Sequence, residues 1–334
     1  MTTGNTPLEH RLSTNVGRYL NAPFAPAAAT VVEEPPGPRA GHWAGAPGAF
    51  SDGDTVYLVY RLRWPRPRRG GELRIARGDG EGFVTIWTAT REDFGSQSIE
   101  RCAILRDGRR WRLYVSYVDG LDDRWRIDII EAGTPESFDP AARRPALSAD
   151  MANAIAVKDP WVRRVGDQWW MFVSYGKRPH GDERKLHGSG DALSTGAVKS
   201  ETGLATSVDG VRWKWEGKVF AATTKGWDKA TARLTTAFRS GDGWLGLYDG
   251  ASDISENYEE RCGIARSSDL RTWERIGSGP AIGAAGGPGT VRYVESVVFR
   301  DGLLFFYERT RADGAHELCM SSAPLSGSGR DSPG

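Results

Sequence analysis

Five times along the chain an apolar, strand-like run is followed by a turn carrying Gly or Asp and by a second run closing on tyrosine. This repeat limits the possible folds more than any other feature. The segments are "APGAFSDGDTVYLVYR" ending near Tyr60, "ERCAILRDGRRWRLYVSY" at Tyr117, "KDPWVRRVGDQWWMFVSY" at Tyr175, "RLTTAFRSGDGWLGLY" at Tyr248 and "VESVVFRDGLLFFY" at Tyr307. The tyrosines lie 57, 58, 73 and 59 residues apart. A second motif follows the hairpins: "GLATSVDGVRWKWEG" (203–217) and "GIARSSDLRTWERIG" (263–277) match at a spacing of 60, with weaker versions at 72–87 and 317–325. Each reads as a strand, a Ser-x-Asp turn whose Asp bonds its own backbone, and a strand whose Trp packs neighbouring units.

Two hairpins per unit predict a four-stranded antiparallel sheet, and five units of about 58 residues predict an all-β, five-bladed β-propeller. A β-sandwich would not require a fixed period. No window sustains helical periodicity over three turns, while 42 Gly and 18 Pro break the chain into short runs. The propeller is expected over 36–325, after an irregular N-terminal arm (1–35) and before a disordered tail, "SGSGRDSPG" (326–334). The polar, Gly-rich stretch 176–203 accounts for the long 73-residue interval and reads as a surface loop or as a lid over the propeller mouth.

Composition narrows the function classes. A net charge of +1 on 334 residues gives no call for nucleic acid or a membrane surface, and no run approaches the ~18 apolar residues of a bilayer span. The N-terminal stretch has no apolar h-region, and three cysteines without a CxxC argue against a disulfide framework, so a cytoplasmic address with free thiols is expected. The five histidines form no HxxxH pattern, and GxSxG and P-loop motifs are missing from the sequence. Neither a metal nor a cofactor is therefore expected. Nothing in the sequence sets an oligomeric state.

The segments resemble the five-bladed propellers of carbohydrate-active enzymes, in particular glycoside hydrolase families 43, 32 and 130, over roughly 40–325. "KDPWVRRVGDQWWMFVSY" resembles the Asp-Pro blade of family 43, and "GAPGAFSDGDTVYLVYR" the opening blade of the family 130 phosphorylases. The resemblance implies chemistry at the start of each blade's innermost strand, where five strands converge on the axis. Lys158 and Asp159 would then stand at the mouth of a funnel, with Pro160 at a strand start, where it costs no ladder bond.

On that layout the acid/base candidates are Glu100, Asp159 and Glu295, because glycoside cleavage usually needs one protonated and one ionised carboxyl group flanking the bond. The substrate-binding candidates are Arg61, Arg101, Lys158, Arg233 and Arg292, with Tyr293 beside them and with His42 and Trp43 available for packing or sugar stacking. Asp249 and Glu308 follow closing tyrosines and are placed below the same cavity, although Glu308 beside Arg309 also reads as an ion pair, as does Glu100 beside Arg101. Family 43 would set a base Asp at the start of blade 1, where "GAPG" has no acid, and an acid Glu at the start of blade 4, where Arg233 stands. Of that trio only Asp159 matches, so the standard family 43 mechanism is not expected.

The expected function is that of a carbohydrate-active enzyme cleaving or transforming a glycoside or sugar-like small molecule, with an anionic substrate or phosphate suggested by the basic mouth. Two alternatives remain: a non-hydrolytic biosynthetic enzyme performing elimination or cyclisation, and a non-catalytic propeller binding carbohydrate or protein.

Overall fold

The computed structural model describes residues 23–324, apart from 182, 189 and 285–288. The expected tail at 326–334 and the arm before residue 23 lie outside these residues.

Five antiparallel sheets surround one axis. Blade 1 holds β2 (Trp43–Asp52), β3 (Thr55–Arg63), β4 (Gly70–Gly78) and β5 (Phe83–Thr90). Blade 2 holds β6 (Ala103–Asp107), β7 (Arg110–Val118), β8 (Trp125–Ala132) and β9 (Arg144–Ser148). Blade 3 holds β10 (Ala154–Val165), β11 (Gln168–Lys177), β12 (Glu201–Ser207) and β13 (Lys214–Phe220). Blade 4 holds β14 (Thr231–Ser240), β15 (Gly243–Ala251), β16 (Arg261–Ser267) and β17 (Glu274–Ile276). Blade 5 holds β18 (Val291–Phe299), β19 (Gly302–Thr310) and β20 (His316–Pro324).

The fourth strand of blade 5 comes from the other end of the chain. Thr30–Glu33 forms β1 and pairs antiparallel with β20, so the end of the stretch expected to be an irregular arm is instead a blade strand. This pairing, with the Trp43–His316 bridge between β2 and β20, joins the last blade to the first. It covers the edge that β20 would otherwise leave unpaired.

Apolar cores lie between blades rather than on the axis. One cluster joins blades 1 and 2 through Val59, Ile75, Ile104 and Leu113. Another joins blades 2 and 3 through Tyr114, Ile127, Val162 and Met171. Three more join blades 3 and 4, 4 and 5, and 5 and 1, so the ring closes. The repeated tryptophans serve these seams: Trp213 of blade 3 meets Tyr114 of blade 2 edge-on, and Trp273 of blade 4 meets Phe172 of blade 3 in the same way. Both follow the expected turn, in which Asp209 and Asp269 accept backbone N–H bonds from residues two and three ahead. The cysteines, Cys102, Cys262 and Cys319, are buried and form no disulfide.

The inner hairpins share one turn. Each has a two-residue loop whose first residue has φ between 51° and 62°: Gly53, Gly108, Gly166, Gly241 and, in blade 5, Arg300. A positive φ at the first central residue is the II′ pattern, whose twist matches the flanking strands. Glycine adopts it without steric cost, and Arg300 does not.

At the mouth end the inner strands bulge. Pairing shifts at Gly45/Gly48 in β2, Lys158/Trp161 in β10, Leu234/Thr236 in β14 and Arg292/Glu295 in β18. In three of these bulges a non-glycine residue takes φ near +50°: Ala46 (51°), Asp159 (58°) and Tyr293 (53°). Each costs about 1–3 kcal/mol, and such strain persists where the surroundings over-determine it, commonly at functional sites.

Candidate functional site

The mouth of the axis is a necklace of alternating charge that visits every blade. Glu100, entering blade 2, receives Arg61 of blade 1 at 2.8 Å. Arg61 also reaches Glu308 of blade 5 at 2.9 Å, and Glu308 meets Arg292 at 2.8 Å. Arg292 continues to Glu260 of blade 4 at 2.7 Å, Glu260 to Arg233 at 2.7 Å, and Arg233 to Asp159 of blade 3 at 3.9 Å. These side chains are almost wholly buried, a position that charged groups hold only when paired.

Local sequence explains the assembly. "GAPG", which lacks the acid expected of family 43, makes room for one from elsewhere: a Cβ on Gly45 would fall 1.9 Å from Glu308 Cγ. Blade 5 thus supplies a carboxylate beside the blade 1 strand start. Glu308 does not pair with Arg309, which bonds Glu317 instead; neighbours in a strand point to opposite faces. Glu100 and Arg101, just ahead of β6, also part. Arg101 bonds Glu295 at 2.9 Å and the Pro47 carbonyl.

The side chains leave little open space inside the necklace, about 10 Å3, roughly the room one water needs. Of the candidates read from sequence, Trp43, Arg61, Glu100, Lys158, Arg233, Arg292 and Tyr293 line it together. Asp159 stands behind Tyr293, whose hydroxyl donates to Asp159 Oδ2 at 3.4 Å; Ser174 Oγ donates to the same oxygen at 2.9 Å. Besides Asp159, three further candidates are not part of the lining. Glu295 is enclosed by Arg101, Arg163 and Thr236, and Arg101 is consumed by that cluster. The His42 ring lies against Gly37 rather than in the pocket.

The structure adds Arg63, Tyr258, Glu260 and Ser194 to the lining. Arg63 was legible: it follows Arg61 by two in "YRLR", so both share a strand face. The insertion also contributes. Asp191, buried, faces Lys158 at 3.6 Å and Arg69 at 3.7 Å and accepts from the Trp125 indole at 3.3 Å. Beside it Leu193 and Ser194 close one side of the pocket.

Aromatic rings complete the walls. The Tyr293 ring has the guanidinium carbons of Arg292, Arg233 and Arg61 at 4.9, 5.1 and 6.0 Å from its centre. Trp43 stacks on His316 at 4.8 Å and carries Arg63 at 4.2 Å. These ring contacts add to the ion pairs that Arg61, Arg63, Arg233 and Arg292 already make.

Protonation states diverge across the site. Burial alone would raise the Glu100 carboxyl, but the charges of Arg61, Lys158 and Arg63 outweigh it and hold it near 2. Glu308, also opposed by burial, is held well below the usual carboxylate range by Arg292 and Arg61. Asp249 goes the other way: burial, with the neighbouring Glu260 charge, pushes it up to about 7 despite Arg233. Burial and the Asp159 charge keep the Tyr293 phenol well above its ordinary value, so it carries its proton at neutral pH.

Several donors on this wall have no hydrogen-bond acceptor among the described residues: Arg61 Nη1, Arg63 Nε, Arg233 Nε and the Trp43 indole. Two acceptors beside them also lack a hydrogen bond, Asp159 Oδ1 and Glu308 Oε1, the latter 2.9 Å from Arg61.

No protein-family model matches the chain, and no curated protein matches it in sequence. Solved structures do match it in shape. A protein described as a glycoside hydrolase aligns over 91% of this chain and 92% of its own, at 15% identity and a TM-score of 0.66. The fold is that of five-bladed propeller glycoside hydrolases. A family 43 enzyme of Xanthomonas citri, solved with xylotriose, covers 88% of this chain and 90% of its own, at 12% identity and a TM-score of 0.59. A structure from the family 130 mannoside phosphorylases, a family that includes hydrolases of β-1,2-mannosidic linkages in Candida mannan, covers 83% of each chain at 16% identity and a TM-score of 0.58. At these identities what is shared is the architecture, and the side chains at the mouth are this chain's own.

Proposed function

We propose that this protein is a carbohydrate-active enzyme that transforms an anionic sugar or sugar-like molecule in the axial pocket. One observation carries the reading. Arg61, Arg63, Lys158, Arg233 and Arg292 line the pocket, and although each is paired with a carboxylate of the ring or of Asp191, several of their N–H groups still lack an acceptor. Such a wall fits an acceptor-rich ligand, a uronic acid or a sugar phosphate, and guanidinium groups suit carboxylate and phosphate oxygens bidentately.

The roles follow from the protonation states. Glu100, ionised throughout the physiological range, stabilises positive charge developing on the substrate or accepts a proton from it. The Tyr293 hydroxyl, hydrogen-bonded to Asp159, is the proton-bearing group on the wall and serves as the acid toward a leaving oxygen. Asp159 then takes the part of orienting carboxylate behind that hydroxyl. A non-hydrolytic reaction, elimination or cyclisation, is the second reading. It is favoured by the same detail: the donor is a phenol, and the lining carboxylates are tied to arginines, unlike the two flanking carboxyls of ordinary glycosidases.

The test is a turnover screen of aryl uronides, neutral aryl glycosides and oligosaccharides, each with and without inorganic phosphate, reading released sugar, sugar phosphate and unsaturated product separately. Activity confined to uronides supports the reading, with the product telling hydrolysis from elimination. Turnover of neutral glycosides alone contradicts it.

A further inference from the structure

The face opposite the mouth, where the inner hairpins turn, holds a cavity of about 450 Å3, an ordinary size for a ligand pocket. Blades 1, 3, 4 and 5 all contribute to it, and it shares no lining residue with the axial pocket. The order along β18 shows the separation. Tyr293 lines the mouth, Glu295 is tied to Arg101, Arg163 and Thr236, and Ser296 to Val298 line the lower cavity.

Eight of the fifteen residues lining this cavity are apolar and none is acidic, so its wall is apolar with positive charge. Phe50, Val165, Trp244 and Val298, one from each contributing blade, are only half-buried and leave apolar surface open to it. Four arginines also belong to the lining. Arg163 is spent on Glu295 and on the Ala49 and Ser296 carbonyls. Arg164, Arg239 and Arg300, from blades 3, 4 and 5, are exposed, and none is hydrogen-bonded to a carboxylate. Arg164 has Asp107 at 3.7 Å and Asp167 at 3.9 Å, and Arg300 has Asp54 at 3.7 Å. Arg239 has no carboxylate partner among the described residues and lies over the Trp244 ring at 4.3 Å. At the mouth, by contrast, Arg61, Arg233 and Arg292 each meet a carboxylate at 2.7 or 2.8 Å.

We infer that the lower cavity binds a small amphipathic anion, with its apolar body against Phe50, Trp244 and Val298 and its acidic head among Arg164, Arg239 and Arg300. The body gains by leaving water against half-exposed apolar walls. The head finds guanidinium groups whose N–H donors are not already held by carboxylates. A cationic head would meet three like charges with no acidic residue in the lining to offset them. This site is distinct from the axial one and stands or falls independently of it.

The experiment is calorimetric titration of the full chain, at low salt and pH 7, with octanoate, 2-naphthoate, acetate and octylammonium. Octanoate or 2-naphthoate is expected to bind at least about tenfold tighter than acetate, which lacks the apolar body, and than octylammonium, which carries the opposite charge. The tighter of the two acids tells a flexible body from a flat one, and a gain with either supports the inference. Arg239→Glu is expected to remove both advantages while shifting Tm by no more than about 2 °C, because Arg239 is exposed and holds no ion pair. Arg300→Glu, at a second exposed site on the rim, is expected to do the same. No binding of either acid overturns the inference, as does acetate or octylammonium binding as tightly as they do. An advantage that survives both substitutions overturns it as well, since the ligand then sits elsewhere.

Discussion

Glu308→Gln removes one charge from the most enclosed carboxylate of the necklace and keeps its shape. Glu308 is fully buried and faces Arg61 at 2.9 Å, Arg292 at 2.8 Å and His316 Nδ1 at 3.1 Å. A glutamine offers one acceptor oxygen, so its amide must point N–H groups at one of these partners, leaving a buried guanidinium uncompensated. Breaking a buried pair in this way costs about 3–5 kcal/mol, a large share of the ~5–15 kcal/mol that holds a domain folded. With unfolding entropy near 2.1 cal/mol/K per residue over roughly 300 ordered residues, the expected fall in Tm is about 5–8 °C. The pH dependence adds a second reading. Because the folded-state pKa is depressed, the carboxylate's contribution is complete above the ordinary Glu range and is lost as pH falls below it. Urea unfolding of both proteins from pH 7 to pH 3 should therefore show a gap that narrows toward acid. A gap under about 1 kcal/mol at pH 7, or one that widens in acid, would refute the reasoning.

Three further outcomes follow from the same structure. Arg300→Gly restores at blade 5 the residue that the four sister turns use at φ near +60°; Arg300 is exposed and its ion pair with Asp54 is loose at 3.7 Å, so chemical denaturation should show a gain of about 1 kcal/mol. Tyr293→Phe should lower kcat on any uronide found active by about 100-fold or more while changing ligand affinity only a few-fold; an equal loss of affinity would assign the hydroxyl to binding. Asp249, with its carboxyl pushed up to about 7, gains a negative charge beside Arg233 as pH rises through neutrality, so affinity for an anionic ligand should fall by about tenfold between pH 6 and pH 8; a flat profile would remove Asp249 from the electrostatics of the site.

The blade architecture was legible because it rests on local, repeated chemistry. The closing tyrosines, the Gly-Asp turns and the Ser-x-Asp turns each dictate a strand pairing without reference to distant residues. Strand β1 was not legible: "TVVE" is four residues long, stands outside the period and becomes a strand only because β20 offers it an edge. Within the site, the strand starts of the inner hairpins pointed to Lys158, Asp159, Arg233, Arg292 and Tyr293. Glu260 and Asp191 lay beyond reach, since one precedes a third strand and the other sits in an insertion whose path over the mouth no pattern sets. The pairings of Glu100 with Arg101 and of Glu308 with Arg309 were suggested by adjacency alone; strand alternation in β19 sends Glu308 and Arg309 to different faces, and the structure pairs both glutamates across blades.

The most direct measurement is equilibrium titration of the full chain with glucuronate, galacturonate and glucose at low salt and pH 6, repeated with Arg233→Met. An axial pocket walled by unmatched guanidinium donors predicts that the acids bind at least about tenfold tighter than the neutral sugar and lose that advantage in the variant. Glucose binding as well as the two acids, or an acid preference untouched by Arg233→Met, would contradict the account.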